Sequence, residues 1–531
     1  MRRVCSQVPD SLFQQIKGAP ALLSRIGNFV ELNMEFLCVE SQIFSLNMQR
    51  GFVHTGPNML APDECPIDQQ QLERHCVLSV ATRLMTLCST IGEFPNIRFQ
   101  RGQTCAAKVA THLKDLMEQQ RGAVPESPAA GSSTLLILDR THDPLTPLLN
   151  EFFVQGCATD MLKLENNTFG HNGKKVLLNE EDTVWKDMRH VFIGAAQETV
   201  DNRKHELEKR PAYKMMQLQK TGGQMDIKGM SDVVKDLPKF KKEYERCLIS
   251  VDVLVKMMAG ASKLIPAVEV QQSLAVERIN KDRQEEFRNL LNDQGGHHPL
   301  SETDKLRLVM LYSITQFSGA KKMPDDLRTS LMQMAGLDRK EHSSALAAAE
   351  LLGRDYAENY FVQQRKATKK KISDDDLTLA RYIPLLKDVA SALLTGTLPA
   401  ENYPSMREAD VAAAGSSGAG KTGKSVRGAV GGRAAPRWAS KSRGTHAVGT
   451  TDEKTPKIII FIIGGMTHSE MRCVYEASRE QKAPAIPVIL GSTSLLHPSI
   501  CYDQNGEKMS GAYIGCPEFI RQLMDVWQPA Q

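Results

Sequence analysis

At 531 residues, with 41% hydrophobic and 24% charged, the chain has globular composition and length for about two to four domains. Lys and Arg number 66 and Asp and Glu 62. That balance gives no sign of a nucleic-acid-binding protein and no single-sign field over the whole molecule. The eleven cysteines are scattered and include no C-x-x-C pair, so they read as reduced thiols of a cytoplasmic protein rather than disulfides or a zinc site.

The N-terminus, MRRVCSQVPDSLFQQ, lacks the apolar core of a signal peptide. The longest apolar run, Ile458 to Ile463, falls far short of the ~20 residues that span a bilayer. The sequon at Asn166, Asn167 and Thr168 is then expected to stay unused. Residues 11–33 read as an amphipathic helix interrupted near Pro20, and 34–46 as one or two short strands. A loop over 51–67 leads to a helix with Leu78, Leu84, Leu87 and Ile91 on one side, closed by Pro95. A further helix over 104–119 and a Gly/Pro/Ser linker over 121–133 precede a strand at 134–138. Its unbroken apolar run predicts a strand covered on both faces, as in a parallel α/β sheet. Asp139 and Arg140 at its end occupy the place where such sheets bind ligands. With no nucleophile or metal set beside them, their expected role is to tie down the following loop by charge-assisted hydrogen bonds.

From about 190 to 395 the pattern is mostly helical. Leu248, Val251, Val255 and Met258 sit at helical spacing and are expected to form a buried stripe. Leu306, Val309, Met310 and Ile314 mark another. Leu331, Met334 and Ala335 begin a third, followed by an Ala-rich run over 345–352. The methionines at 215, 216, 257, 258, 332 and 334 are expected to fill gaps in helical cores. Residues 404–456 turn rich in Gly, Ala and Ser, with Lys and Arg but no acid between Val411 and Thr451, and read as a disordered basic linker. A buried strand over 457–463, a turn at Gly464 and Gly465, a capping box at Thr467 and Glu470, and a strand over 487–490 follow. This β-turn-α-β unit is expected to rejoin the sheet of the 134–138 strand.

One catalytic pattern is complete: Gly415, Gly420, Lys421 and Thr422 satisfy the phosphate loop G-x-x-x-x-G-K-[ST]. Such a loop needs a buried strand before it and a helix after it. Here MREADVAAA precedes it and GKSVRGAVGGRAAPRW follows, and neither suits its element. A phosphate-loop NTPase is the alternative to a binding protein, and an accidental match in a Gly-rich tract is the expectation. His297 and His298 lie in a Gly-rich loop. His468 lacks the second His of a zinc-protease helix. His142 and Asp143 have no nucleophile at a recognised spacing, so surface or capping roles are expected for all of them. No cofactor and no metal are expected. The basic linker reads as a solvated loop rather than a lipid-binding element, since no amphipathic helix accompanies it.

LLILDRTHDPLTPLLNEFFVQ at 135–155 closely resembles the domain 2 signature of the SM family, the Munc/Sec-type syntaxin-binding proteins of vesicle fusion. The resemblance continues in register through VLLNEEDTVWKDMR at 176–189, LPKFKKEY at 237–244, KIIIFIIGGMTHSEMRCVYEAS at 457–478 and VILGST at 488–493, and is nearest the exocytic branch. It implies a three-domain α/β arch. The chain divides into a remnant of domain 1 at 1–33, the first part of domain 2 at 34–189, an inserted helical domain 3 at 190–403, the linker at 404–456, and the last part of domain 2 at 457–531. It implies a scaffold without catalysis that binds a syntaxin-type SNARE and assembling SNARE complexes, acting in the cytoplasm and meeting the membrane through syntaxin. The family's pocket for the N-terminal peptide of syntaxin corresponds here to Phe13, Ile26, Phe29 and Glu31. These could hold an apolar anchor and a basic group, or be ordinary core. The domain 3 hairpin is expected near 303–353. The sequence departs from the family in three places: the upstream part of domain 1 is missing, Asp338 and Arg339 stand where neuronal members carry prolines, and residues 501–516 match nothing. The expectation from these ends is a truncated or imperfect gene model.

Overall fold

Strands without polar alternation require cover on both faces, and the two such runs in this chain lie side by side. The computed structural model describes residues 18–19, 35–48, 67–102, 105–121, 133–162, 164, 167–221, 231–276, 279–294, 296, 298–317, 322–368, 379–406, 456–481 and 485–496. It begins with β1 (Leu37–Glu40), β2 (Ile43–Ser45), α1 (Ile67–Ile91), β3 (Asn96–Phe99), α2 (Cys105–Arg121) and β4 (Thr134–Asp139). Next come α3 (Val154–Leu162), the hairpin β5 (Thr168–His171) and β6 (Lys174–Leu177), and α4 (Thr183–Met188). The helical insertion comprises α5 (Ile193–Glu208), α6 (Pro211–Thr221), α7 (Ser231–Val276), α8 (Lys281–Leu291), α9 (Glu302–Phe317), α10 (Asp325–Met334), α11 (Lys340–Leu352), α12 (Tyr360–Thr368) and α13 (Leu385–Leu394). The chain returns through β7 (Ile458–Ile463), α14 (His468–Arg479) and β8 (Val488–Ser492).

The main sheet runs β1-β2-β8-β7-β4-β3, and every neighbouring pair is parallel except β1 with β2. β7 pairs in register with β4 from Ile458 opposite Thr134 to Ile463 opposite Asp139. The expected return to the first strand's sheet is therefore observed. Alternation then sorts the side chains. Leu136, Leu138, Ile458, Ile460 and Ile462 face a core shared with α9, α11 and α13, while Leu135, Ile137, Ile459, Phe461 and Ile463 face α1 and α2. The outer edge of β3 is closed by residues 402–405: Phe99 N donates to Pro404 O at 3.2 Å and Arg101 N to Asn402 O at 2.9 Å. Ordered structure thus reaches Met406, beyond the expected linker boundary at 404. The phosphate-loop match at 415–422 lies outside the described residues.

Three expectations need correction. Leu78 is 46% exposed; α1 buries Val77, Val80, Leu84, Leu87 and Cys88 instead. In α7, of the four residues expected to be buried, Val251 is half-buried and the other three are exposed, Leu248 at 43%, Val255 at 60% and Met258 at 44%. The covered face carries Cys247, Val253, Leu254, Met257 and Ala261. This helix has two apolar faces, and a period of 3.6 identifies a face without saying which one is covered. In the segment 303–353, expected to hold the domain 3 hairpin, α9 buries Leu306, Leu308, Val309, Met310 and Leu311 and α11 buries Ala345, Leu346, Ala348 and Leu352, while residues 324–326 and 338–341 are exposed, so its two outer helices serve the core more than a docking face.

At Gly491 in β8 an added Cβ would fall inside the ring of Phe44, which itself stacks on Phe461 at 6.0 Å between centroids. Gly491→Ala should therefore cost about 1–3 kcal/mol through overpacking. Urea unfolding measures this, and a midpoint equal to wild type would contradict the packing.

Candidate partner-binding surface and the loop that braces it

The loop after β4 gathers the chain's distant parts. Arg140 and Glu470 are each 1% exposed and pair at 2.6 Å and 3.1 Å. The same guanidinium donates to Gly465 O at 3.0 Å and Asp143 O at 2.8 Å. Glu470 is at once the third residue of the capping box, accepting from Thr467 N at 2.9 Å, while Thr467 Oγ1 accepts from Glu470 N at 3.2 Å. Gly464 and Gly465, at φ 104° and 96°, make the turn that aims α14 at Arg140.

Asp143 turns the other way, into the insertion. Its carboxylate accepts from Leu145 N, Thr146 N and Thr146 Oγ1 of its own loop, from Tyr382 OH at 3.0 Å and from Leu385 N at the start of α13 at 3.0 Å. His142 Nε2 lies 2.8 Å from Tyr403 OH, and Asn359 Nδ2 donates to His142 O. Both residues are buried. Asp143 caps as expected, but neither it nor His142 is at the surface. The expected tie-down role of Asp139 and Arg140 is what the structure contains. Asp139 accepts from Thr141 N, and burial pushes its carboxyl up to about 6.

A second brace joins α4 to the far edge of the sheet. Arg189, 1% exposed, pairs with Glu40 and Glu180 at 2.9 Å each and lies under the Tyr475 ring at 4.7 Å. His190 packs on the same ring at 4.9 Å. Burial first, then the neighbouring arginines Arg189, Arg479 and Arg472, push its imidazole down to about 3. Burial likewise pushes His142 down to about 4. These contacts connect residues hundreds of positions apart, so no local pattern announces them. Burial pushes the Cys88 and Cys473 thiols up to about 12, which agrees with inert structural thiols. Among the described residues no cluster suits a metal ion, and no helix is long and apolar enough to cross a membrane.

Among the described residues an exposed apolar strip lies on α7. Where it starts, this 46-residue helix packs Leu237 and Phe240 against Ala212, Met215 and Met216 of α6, with Tyr244 on Tyr213 at 5.5 Å. Leu237, Tyr244, Val251 and Met258 recur every seven residues, with Leu248 and Val255 between them, so they share one seam. α6 covers the first part of it. Over the next 21 Å or so, at 1.5 Å per residue, Leu248, Val255 and Met258 are exposed, while Val251 is half-buried against the core of α3 and α5. Far along the helix, Gln271 exchanges hydrogen bonds with Asn150 at 2.9 and 3.0 Å, and Gln272 accepts from Tyr382 N at 2.7 Å. The bare seam is thereby fixed relative to the loop of Asp143. Phe13, Ile26, Phe29 and Glu31 lie outside the described residues, as does His297; His298 is exposed and His468 buried.

A mostly parallel sheet split by a long helical insertion, braced by buried ion pairs and carrying an exposed apolar strip on α7, defines an α/β scaffold. The chain belongs to the Sec1 family, whose model matches residues 3–504. It is 30% identical over 517 residues to the protein transport protein Sec1 of Dictyostelium discoideum, covering 94% of this chain and 81% of that one. It is 24% identical to the SNARE-interacting protein KEULE of Arabidopsis thaliana, with 93% and 78% covered. Among solved structures it is similar to the Unc18–syntaxin 1 complex of Monosiga brevicollis (TM-score 0.64, 22% identity, 98% of this chain and 81% of that one). It is also similar to the SM protein Vps45 in complex with the Qa SNARE Tlg2 (TM-score 0.64, 17% identity, 98% and 80%). Both structural likenesses establish the fold.

Two outcomes test the braces. Arg140→Met leaves Glu470 buried without its partner and should cost about 3–5 kcal/mol. Adding Glu470→Gln, which keeps the cap but removes the charge, should recover part of that loss, and strict additivity in urea unfolding would count against the pair. For His190 the folded value lies below the unfolded value of about 6.5, so acidification protonates the unfolded chain first and stability falls from about pH 6.5 downward. His190→Gln should therefore lose less stability than wild type between pH 7.5 and 5. Parallel losses would contradict the burial of that ring.

Proposed function

We propose that this chain is a SNARE-binding scaffold of vesicle docking and membrane fusion that works by binding, without catalysis, with the bare seam of α7 as its docking face for a SNARE helix. The observation that carries the reading is that seam. Leu248, Val251, Val255 and Met258 repeat at a/d spacing on a helix held rigidly at its other end, and a partner helix completes such a surface. The reading is supported by relatives and solved neighbours named for SNARE interaction or captured with syntaxin 1 and Tlg2. The same reading makes Phe13, Ile26, Phe29 and Glu31 the pocket for a syntaxin N-terminal peptide. It makes 34–189 and 457–531 the two parts of one α/β domain around the helical domain 190–403. It places the protein in the cytoplasm, recruited to docking sites through syntaxin.

Leu248→Asp with Val255→Asp should weaken binding of the matched SNARE helices about tenfold or more, a loss of about 1.4 kcal/mol or more. The melting temperature should hardly move, because both side chains already face solvent. Phe29→Ala should weaken only the isolated N-terminal peptide of syntaxin. Calorimetry on the full chain reads both. Unchanged affinity in the folded double variant would remove α7 from the interface.

A further inference from the structure

We infer that the helix seated on the exposed strip of α7 carries a basic residue level with Glu245 and an acidic residue level with Lys263, and that these two charges of α7 set its direction. The inference rests on the docking reading above and adds the chemistry of the partner's flank. α7 holds no proline between Pro238 and Pro266, so over this length each residue turns the helix by about 100° and advances it by about 1.5 Å. Leu248 and Val255, seven residues apart, fall within about 20° of each other. Glu245 and Lys263 are eighteen residues apart, which is five whole turns, so they project from one line of the helix about 27 Å apart. That line runs about 60–80° to one side of Leu248 and Val255.

The two sides of the strip differ. On one, Cys247, Leu254 and Ala261 are buried in the protein's own core, and α7 offers no charged residue there. On the other stand Glu245, Asp252, Lys256 and Lys263, acids toward the start of the helix and bases toward its end. The middle two are engaged within the protein. Asp252 lies 2.8 Å from His171 Nδ1 and accepts from Lys256 Nζ at 3.0 Å, and Lys256 also lies over the Phe169 ring at 4.8 Å. Glu245 and Lys263 are exposed, and their side chains enter no ion pair among the described residues. Lys241, one turn before Glu245, donates to Gln219 of α6 at 2.8 Å, beside the part of the helix that α6 covers.

Charge supplies what the apolar residues lack. Leu248, Val255 and Met258 present much the same surface to a helix of either direction. An exposed acid at one end of the row and an exposed base at the other do not. A helix with complementary flanking charges gains modestly at both ends, and the same helix laid the wrong way round meets a like charge at both. The pair therefore discriminates between directions and between partners more than it adds affinity.

Calorimetry of the full chain with the matched SNARE helices, at about 50 mM and about 500 mM salt, tests it. Glu245→Lys and Lys263→Glu should each weaken binding about twofold to fivefold at low salt, and together about tenfold, with unchanged melting curves. High salt should remove the differences. Should the double reversal fold poorly, Glu245→Gln with Lys263→Gln replaces it and should lose about threefold. Lys366→Glu, the same change of charge on exposed α12, should bind as wild type does. Unchanged affinity in both reversals, tighter binding in either, an equal loss in Lys366→Glu, or a loss that persists at high salt would each overturn the inference. In the first case a loss in Leu248→Asp with Val255→Asp leaves the docking reading standing, and no loss there removes both.

Discussion

The buried pair of Arg140 and Glu470 is the contact on which the rest of the arrangement depends. A chain that leaves a sheet after β4 and returns at β7 must find the same strand again across the whole helical insertion. Pairing of the two apolar strands supplies attraction, but parallel neighbours of Ile and Leu discriminate poorly between one register and its neighbour two residues along. Glu470 fixes the register. It caps α14 and meets a guanidinium anchored at the end of β4, 1% exposed on both sides. A buried pair adds little net stability once desolvation is counted, yet it penalises every arrangement in which either charge is left alone. The pair acts chiefly by excluding alternatives.

Asp143 extends that constraint from the sheet to the insertion. Through Tyr382 and Leu385 it holds the start of α13, and Tyr382 N in turn holds Gln272 near the end of α7. The 46 residues of α7 then carry this fixed position outward to the exposed Leu248, Val255 and Met258. A docking helix would meet a surface whose orientation is set before it arrives, so less ordering cost remains to be met on binding. Polar groups buried at one end of a helix thus determine the geometry at the other.

Much of this was legible in the sequence, and the limits have physical causes. The apolar runs at 134–138 and 457–463 declared strands covered on both faces, and Thr467 with Glu470 declared a helix start. Both signals are local. The seam of α7 was read with its faces exchanged, since Leu248, Val255 and Met258 are as apolar as Val253, Leu254 and Met257, and only tertiary packing decides between them. Arg189 with Glu40, Glu180 and Tyr475 gave no signal, because each residue alone looks like ordinary surface. Leu78 shows the same ambiguity on a smaller scale. The pocket expected at Phe13, Ile26, Phe29 and Glu31 rests on resemblance alone.

The carboxyl ends of parallel strands are where α/β proteins usually leave a crevice for ligands, and a cluster of groups with displaced pKa values there would ordinarily point to chemistry. This chain has that cluster in Asp139, pushed up to about 6, and His142, pushed down to about 4. Its surroundings decide the matter. Asp139 is taken by Thr141, the His142 ring by Tyr403, and Asp143 by donors from its own loop and from the insertion. The helical insertion has been built into the crevice, and groups that could have faced a substrate face protein. Burial is then the largest cause of both displaced values. With the sheet's customary binding position occupied from within, an exposed apolar strip of Leu248, Val255 and Met258 lies on α7, the element that the filled crevice positions.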